Sequence, residues 1–229
     1  MRENLSKVKA VLFDLDGTLV NTLPGLTELV NQMRRDFDKP PLSEEKVGKY
    51  IGKGMRVLVR RAMTDSMDAE LNDQAYQLAL KSMAQHIQAN QYSKGVPYSD
   101  ALETIAYFRK KGVKTAIVTN KPYEMTLDTL KGTGLIESVD LIVGGDTAEH
   151  PKPFPDPLWY ALDRFSLSAQ DALMVGDSGN DSEAAKRAGV PSILVRTGWS
   201  EGVPLEYFAK RDGSIALIDR LSDLKSLNL

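Results

Sequence analysis

Four short stretches of this chain carry side chains suited to handling a phosphate group: Asp14-Leu15-Asp16-Gly17-Thr18, Val118-Thr119-Asn120, Lys152-Pro153 and Gly176-Asp177-Ser178-Gly179-Asn180-Asp181. Asp14, ionised at neutral pH, is a candidate nucleophile that attacks phosphorus and forms an aspartyl-phosphate. Asp16 is the candidate acid and base: it gives a proton to the leaving alcohol and later takes one from the water that hydrolyses the intermediate. Two carboxylates two residues apart point to opposite faces of a regular strand. The turn after Asp14 and the freedom of Gly17 re-aim both toward one pocket.

That chemistry needs positive charge. A carboxylate about 4 Å from a phosphate dianion meets repulsion of roughly 4 kcal/mol per charge pair at an effective dielectric of about 20. Asp14, Asp16 and Asp177 supply carboxylate and backbone oxygens for magnesium, an ion that accepts a sparse protein shell and keeps waters. Asp181 is expected behind them, in contact with the metal-holding residues and not with the ion. Lys152 is expected to give a fixed charge, while Thr119, Asn120 and the backbone N–H groups near Gly17 donate to phosphate oxygens.

Composition narrows the alternatives. The 229 residues contain no cysteine and two histidines, which removes disulfides, thiolate metal sites and cysteine nucleophiles and makes a histidine zinc centre or a serine–histidine triad hard to build. Oxygen ligands remain, so Mg2+ is the expected cofactor. A net charge of −2 argues against a broad nucleic-acid face. The first nine residues lack a signal-like apolar core, and no apolar run approaches the roughly 20 residues of a membrane span. A cytoplasmic protein acting on a small-molecule phosphate ester, as monomer or homodimer, is the expectation, with neither nucleic acid nor membrane as partner.

The elements that must position these residues are also visible. Val8 to Asp14 reads as a buried strand ending at a tight turn. Leu23, Leu26, Leu29, Val30, Met33 and Phe37 then follow helical spacing, and the pattern stays helical to Ile87. Residues 21–92 thus form a helical insertion. From Tyr98 onward helices and strands alternate: helix from Asp100, with Asp100 and Glu103 as an acidic capping box, to Lys111; strand 113–119; helix 123–131; strand 140–143; helix 157–165; strand 172–175; helix 180–188; strand 192–195; then strand 214–218 and a terminal helix 221–227. Strands separated by helices predict an α/β fold, a doubly wound parallel sheet covered on both faces. All four stretches would then lie at strand ends, where open α/β sheets bind ligands.

Phe13-Asp14-Leu15-Asp16-Gly17-Thr18-Leu19, Val118-Thr119-Asn120-Lys121-Pro122, Lys152-Pro153-Phe154-Pro155 and Gly176-Asp177-Ser178-Gly179-Asn180-Asp181 together resemble the four motifs of the haloacid dehalogenase superfamily of phosphohydrolases. The resemblance spans essentially the whole chain. It implies a Rossmann-like core of residues 1–20 and 93–229 and a helical cap of residues 21–92 that closes over the site. Leu19-Val20-Asn21-Thr22, Ile51-Gly52-Lys53-Gly54 and Gly144-Gly145-Asp146-Thr147 add a likeness to members that hydrolyse 2-phosphoglycolate with magnesium. Asn21 stands where many relatives carry Asp.

The neighbouring activities differ by residue. Dehalogenases and phosphonate hydrolases of the superfamily lack the second aspartate, and Leu26 stands where β-phosphoglucomutases typically carry histidine. Response-regulator receivers also use a strand-end Asp, a Thr or Ser, a Lys and magnesium, but neither Asp16 nor the insertion suits them. Pyrophosphate, a nucleotide or a sugar phosphate stay open as substrates. Within the insertion, Lys53 and Arg56 are candidates to meet a substrate carboxylate; the alternative is a solvated cationic helix face balanced by Glu44 and Glu45.

Overall fold

Four consecutive apolar residues, Ala10–Phe13, form β1, and none has exposed surface. A strand apolar on both faces belongs in the middle of a parallel sheet. The structure, a computed structural model, describes residues 8–89 and 94–227; residues 1–7 and the boundary expected at 92–93 lie outside the described residues.

After β1 the chain enters a two-stranded antiparallel ribbon, β2 (Val20–Asn21) against β3 (Val96–Pro97), with Val20 opposite Pro97. This ribbon has no clear sequence signal, since two-residue strands carry no periodicity. Between its strands lie α1 (Leu23–Arg35), α2 (Glu44–Tyr50), α3 (Met55–Thr64) and α4 (Asp73–Gln88). Ser43 and Asn72 accept from the Lys46 and Ala75 N–H groups and start α2 and α4, removing orphan donors of the first turn. Leu26, Leu29, Val30 and Met33 of α1, Leu58 and Val59 of α3, and Ala79 and Met83 of α4 share one apolar cluster.

The remainder alternates α5 (Ala101–Lys110), β4 (Lys114–Val118), α6 (Tyr123–Gly132), β5 (Leu141–Val143), α7 (Asp156–Phe165), β6 (Ala172–Gly176), α8 (Gly179–Ala188), β7 (Ser192–Val195), α9 (Leu205–Asp212) and β8 (Ala216–Ile218). Six parallel strands stand in the order β5-β4-β1-β6-β7-β8. Alternation within the strands assigns the two faces. Val11, Phe13, Leu173 and Val175 pack with Ile105 and Phe108 of α5. Ala10, Leu12, Ala172 and Met174 pack with Leu158 of α7 and Ala184 of α8.

Two local expectations differ from the structure. The acidic capping box is not made: Asp100 Oδ2 accepts from the Ser222 N–H at 2.8 Å, and Glu103 meets Lys225 at 2.6 Å. Tertiary partners from the chain's end outcompete the local cap. That end, expected as an α-helix, is a 3₁₀ turn at Leu221–Ser226 whose Leu221 and Leu224 seal the face against α5. No described helix is long and apolar enough to cross a membrane.

Candidate active site

The chain lays β4 and β5 on one side of β1 and then β6, β7 and β8 on the other. The strand order therefore reverses at β1, and a crevice opens beyond its carboxyl end. Asp14 follows β1, Thr119 follows β4 and Asp177 follows β6. The Asp14 N–H donates to Val175 O at 2.9 Å and the Thr119 N–H to Val143 O at 3.0 Å, so both residues are fixed by sheet ladders.

Gly17 turns the backbone away immediately afterwards with φ +86°. A Cβ there would lie 2.5 Å from Asp177 Oδ2, so both conformation and space demand glycine. Asp177 is held by the Thr18 hydroxyl, which donates to Oδ1 at 2.9 Å, and by the Trp199 N–H, which donates to Oδ2 at 3.0 Å.

Lys152 comes from elsewhere than a strand end: it lies in the long loop between β5 and α7. Its buried ammonium donates to Val118 O and to Asp181 Oδ1, both at 2.6 Å, and stands 3.0 Å from Asp14 Oδ1. Asp181 also accepts from the Ser178 N–H and hydroxyl through Oδ2, at 3.0 and 2.7 Å, which caps α8 and fixes the carboxylate.

Asp16 faces a different way. Its Oδ1 accepts from the Thr22 hydroxyl and from Lys121 Nζ, each at 2.6 Å. The acidic cluster that could hold a metal comprises Asp14, Asp177 and Asp181, with ligand atoms all within 4.8 Å of one another. The Asp16 carboxylate is not part of it, since Thr22 and Lys121 draw it aside, which leaves Asp16 its backbone oxygen to offer a metal, while Asp181, expected behind the ligands, belongs to the cluster. Asn120, expected as a phosphate donor, gives its amide hydrogens to Gly52 O at 2.9 Å and Lys152 O at 2.7 Å. It ties the insertion to the loop of Lys152.

Lys53 and Arg56 are exposed and do not line the cavity. Lys53 stands 3.7 Å from Glu201. Leu58, Val59, Ala62 and Met63 turn α3 inward on its apolar side, which leaves Arg56 facing outward. The cavity of about 50 Å³ is floored by Asp14, Asp16, Thr119, Lys121, Lys152 and Asp177 and walled by Leu26, Ile51, Met55, Leu58 and Trp199. Space of that size holds roughly three or four waters. Lys121, Thr22 and Trp199 are the contacts that sequence reasoning missed. Lys121 was visible within Thr119-Asn120-Lys121-Pro122, but nothing local showed that its ammonium meets Asp16.

Burial is the main electrostatic influence on the carboxylates. It pushes Asp14 up to about 7, against the lowering effect of Lys152 and with added repulsion from Asp181 and Asp16. Burial likewise raises Asp177 well above the carboxylate range, assisted by Asp14 and Asp181. Burial works against the charge of Lys152, but the facing Asp14 and Asp181 overcome it and raise its pKa.

These observations test the site for a metal. Three buried carboxylates cluster where one ammonium contacts two of them, Asp14 and Asp181, and ionised pairs no more than 4.8 Å apart repel by at least about 3 kcal/mol at an effective dielectric of about 20. Asp14 Oδ1 is buried and accepts no hydrogen bond. An all-oxygen, over-acidic cluster with an open acceptor fits a hard divalent cation.

The chain belongs to the haloacid dehalogenase-like hydrolases, whose family model matches residues 11–195, and within them it is a phosphatase. It is similar to the phosphoglycolate phosphatase of Thiobacillus denitrificans, 37% identical over 198 residues that cover 86% of this chain and 87% of the relative. Phosphoglycolate phosphatase 1 of Pseudomonas aeruginosa is 36% identical over 217 residues, 94% of this chain and 78% of that one. Among solved structures, a predicted phosphoglycolate phosphatase from Haemophilus somnus superposes with a TM-score of 0.87 at 29% identity, covering 97% of this chain and 99% of its own.

Proposed function

We propose that this phosphatase hydrolyses 2-phosphoglycolate to glycolate and phosphate through an aspartyl-phosphate on Asp14, with magnesium as its metal. The observation that carries the reading is the convergence of Asp14, Asp16, Thr119, Lys152 and Asp177 on one small cavity beyond β1. The names of the relatives and the size of that cavity support the substrate.

Asp14 and Asp177, with Asp181 beside them and the main chain of Asp16, would hold the metal. Bound there, magnesium would withdraw charge from the phosphate oxygens and offset the approach of one anion to another. Asp14 attacks phosphorus, and the bond to the leaving oxygen breaks as Asp16 gives that oxygen a proton. Lys152 keeps its charge beside the reacting carboxylate throughout. The Thr119 hydroxyl, whose oxygen accepts from the Lys121 N–H at 3.3 Å, has its own hydrogen to donate to a phosphate oxygen. Asp16 then takes a proton from the water that releases phosphate. Residues 21–92 act as a cap domain over the core of residues 1–20 and 93–229, and their apolar side chains keep bulk water from the intermediate.

The test is phosphate release from 2-phosphoglycolate with magnesium. Asp14→Asn lowers kcat by at least about 10³-fold, the scale of losing a covalent nucleophile. Activity retained in that variant overturns the mechanism, and wild-type enzyme that prefers larger esters overturns the substrate.

A further inference from the structure

Among the described residues two cations face the cavity, Lys152 and Lys121. Lys152 has three oxygen partners: it donates to Val118 O and Asp181 Oδ1 and is ion-paired with Asp14 Oδ1 at 3.0 Å. Lys121 has fewer. Its side chain is only 4% exposed, its ammonium is 2.6 Å from Asp16 Oδ1, and among the described residues Nζ has no second acceptor. An ammonium carries three donors, and buried donors are nearly always satisfied. Two N–H groups of Lys121 are therefore open to a ligand beside the group that protonates the leaving oxygen.

The neutral side chains Asn120, Ser178 and Asn180 also line the cavity, but they already donate within the protein: Asn120 to Gly52 and Lys152, Ser178 to Asp181 and Asn180 to Gly52. Leu26, Ile51, Met55, Leu58 and Trp199 wall the cavity with apolar surface, and Lys53 and Arg56, the other candidate cations, lie outside. A charged leaving group set against such walls would lose hydration with nothing in return.

We propose that Lys121 is the residue that selects the substrate: one N–H orders Asp16 while the other two receive a carboxylate carried by the leaving alcohol. Asp16 touches both Lys121 and the ester oxygen, so the carboxylate belongs one carbon from that oxygen. A neutral alcohol leaves the two donors unmatched, and a longer acid must fold against the apolar walls. The assignment rests on the reading of Asp14 as nucleophile and Asp16 as acid and base.

The experiment compares kcat/KM for 2-phosphoglycolate, ethyl phosphate and the acid one methylene longer, 3-phosphooxypropanoate, in wild type, Lys121→Met and Lys121→Arg. Dividing one ester by another cancels any common effect of disturbing Asp16. The preference of wild type for 2-phosphoglycolate over ethyl phosphate falls on the order of 100-fold in Lys121→Met, the scale of one charge-assisted contact, and returns in part in Lys121→Arg. A preference unchanged within about threefold overturns the proposal and leaves Lys121 as a support for Asp16 alone. Equal wild-type rates on 2-phosphoglycolate and its longer homologue overturn the spacing. Wild-type enzyme that hydrolyses none of the three removes the 2-phosphoglycolate reading on which the proposal rests, an outcome distinct from the others. If circular dichroism shows Lys121→Met unfolded, Lys121→Gln, which keeps a donor to Asp16, takes its place with the same expected loss.

Discussion

Replacing Asp14 by Asn should stabilise the metal-free protein, and by more as the pH rises. Burial holds the Asp14 carboxyl at about 7 in the folded chain against a usual value of 3.8. Between those values the folded state binds a proton that the unfolded chain has released, so stability falls as pH increases. A displacement of that size is worth about 4 kcal/mol through Asp14 alone. The contribution is fully present below pH 4 and gone above pH 7. Asn keeps the shape, removes the titration and leaves Lys152 paired to Asp181, whose Oδ1 lies 2.6 Å away. Urea denaturation in a chelator at steps from pH 5 to pH 8 measures the effect. The wild-type curve should decline toward pH 8 while that of Asp14→Asn stays flatter, the gap between them changing by about 3 kcal/mol from pH 5 to pH 8, the part of the effect that falls in that window. Added magnesium should recover stability in wild type and not in the variant. Parallel curves, or a variant less stable at pH 8, would refute the idea that buried carboxylate charge is held at the cost of stability.

Two further changes probe the surroundings of the site. Gly17→Ala places a Cβ 2.5 Å from Asp177 Oδ2 at a φ of +86°; it should lower stability by about 1–3 kcal/mol and weaken magnesium binding measured by calorimetry. Phe13→Ala removes a fully buried ring of β1 that packs 6.4 Å from that of Phe108, and denaturant unfolding should show a loss of about 3–5 kcal/mol.

The core elements were legible because their signals are local. Ser192–Val195 coincides with the strand expected there, and Tyr123–Gly132 and Gly179–Ala188 depart from expectation only at their ends. The helix Leu205–Asp212 went unread: Pro204 opens it and Gly213 closes it at φ +75°, but Leu205 and Asp212 are its only buried residues, too few for an apolar stripe. The β2–β3 ribbon and the partners of Asp100 depend on residues far along the chain, so no window could contain them.

The site divides in the same way. Sequence by itself determined the sheet, the helical insertion and the catalytic candidates Asp14, Asp16, Thr119, Lys152 and Asp177, because strand–turn–helix punctuation and residue chemistry are written in consecutive positions. Only the tertiary structure decided where the charges meet. It turned Asp16 from the acidic cluster toward Lys121 and Thr22, brought Asp181 to Lys152 and drew Asn120 to Gly52. It also left Lys53 and Arg56 facing solvent. Side-chain direction follows from what each element packs against, and electrostatic partnership falls off within a few ångströms. Neither quantity is carried by spacing along the chain.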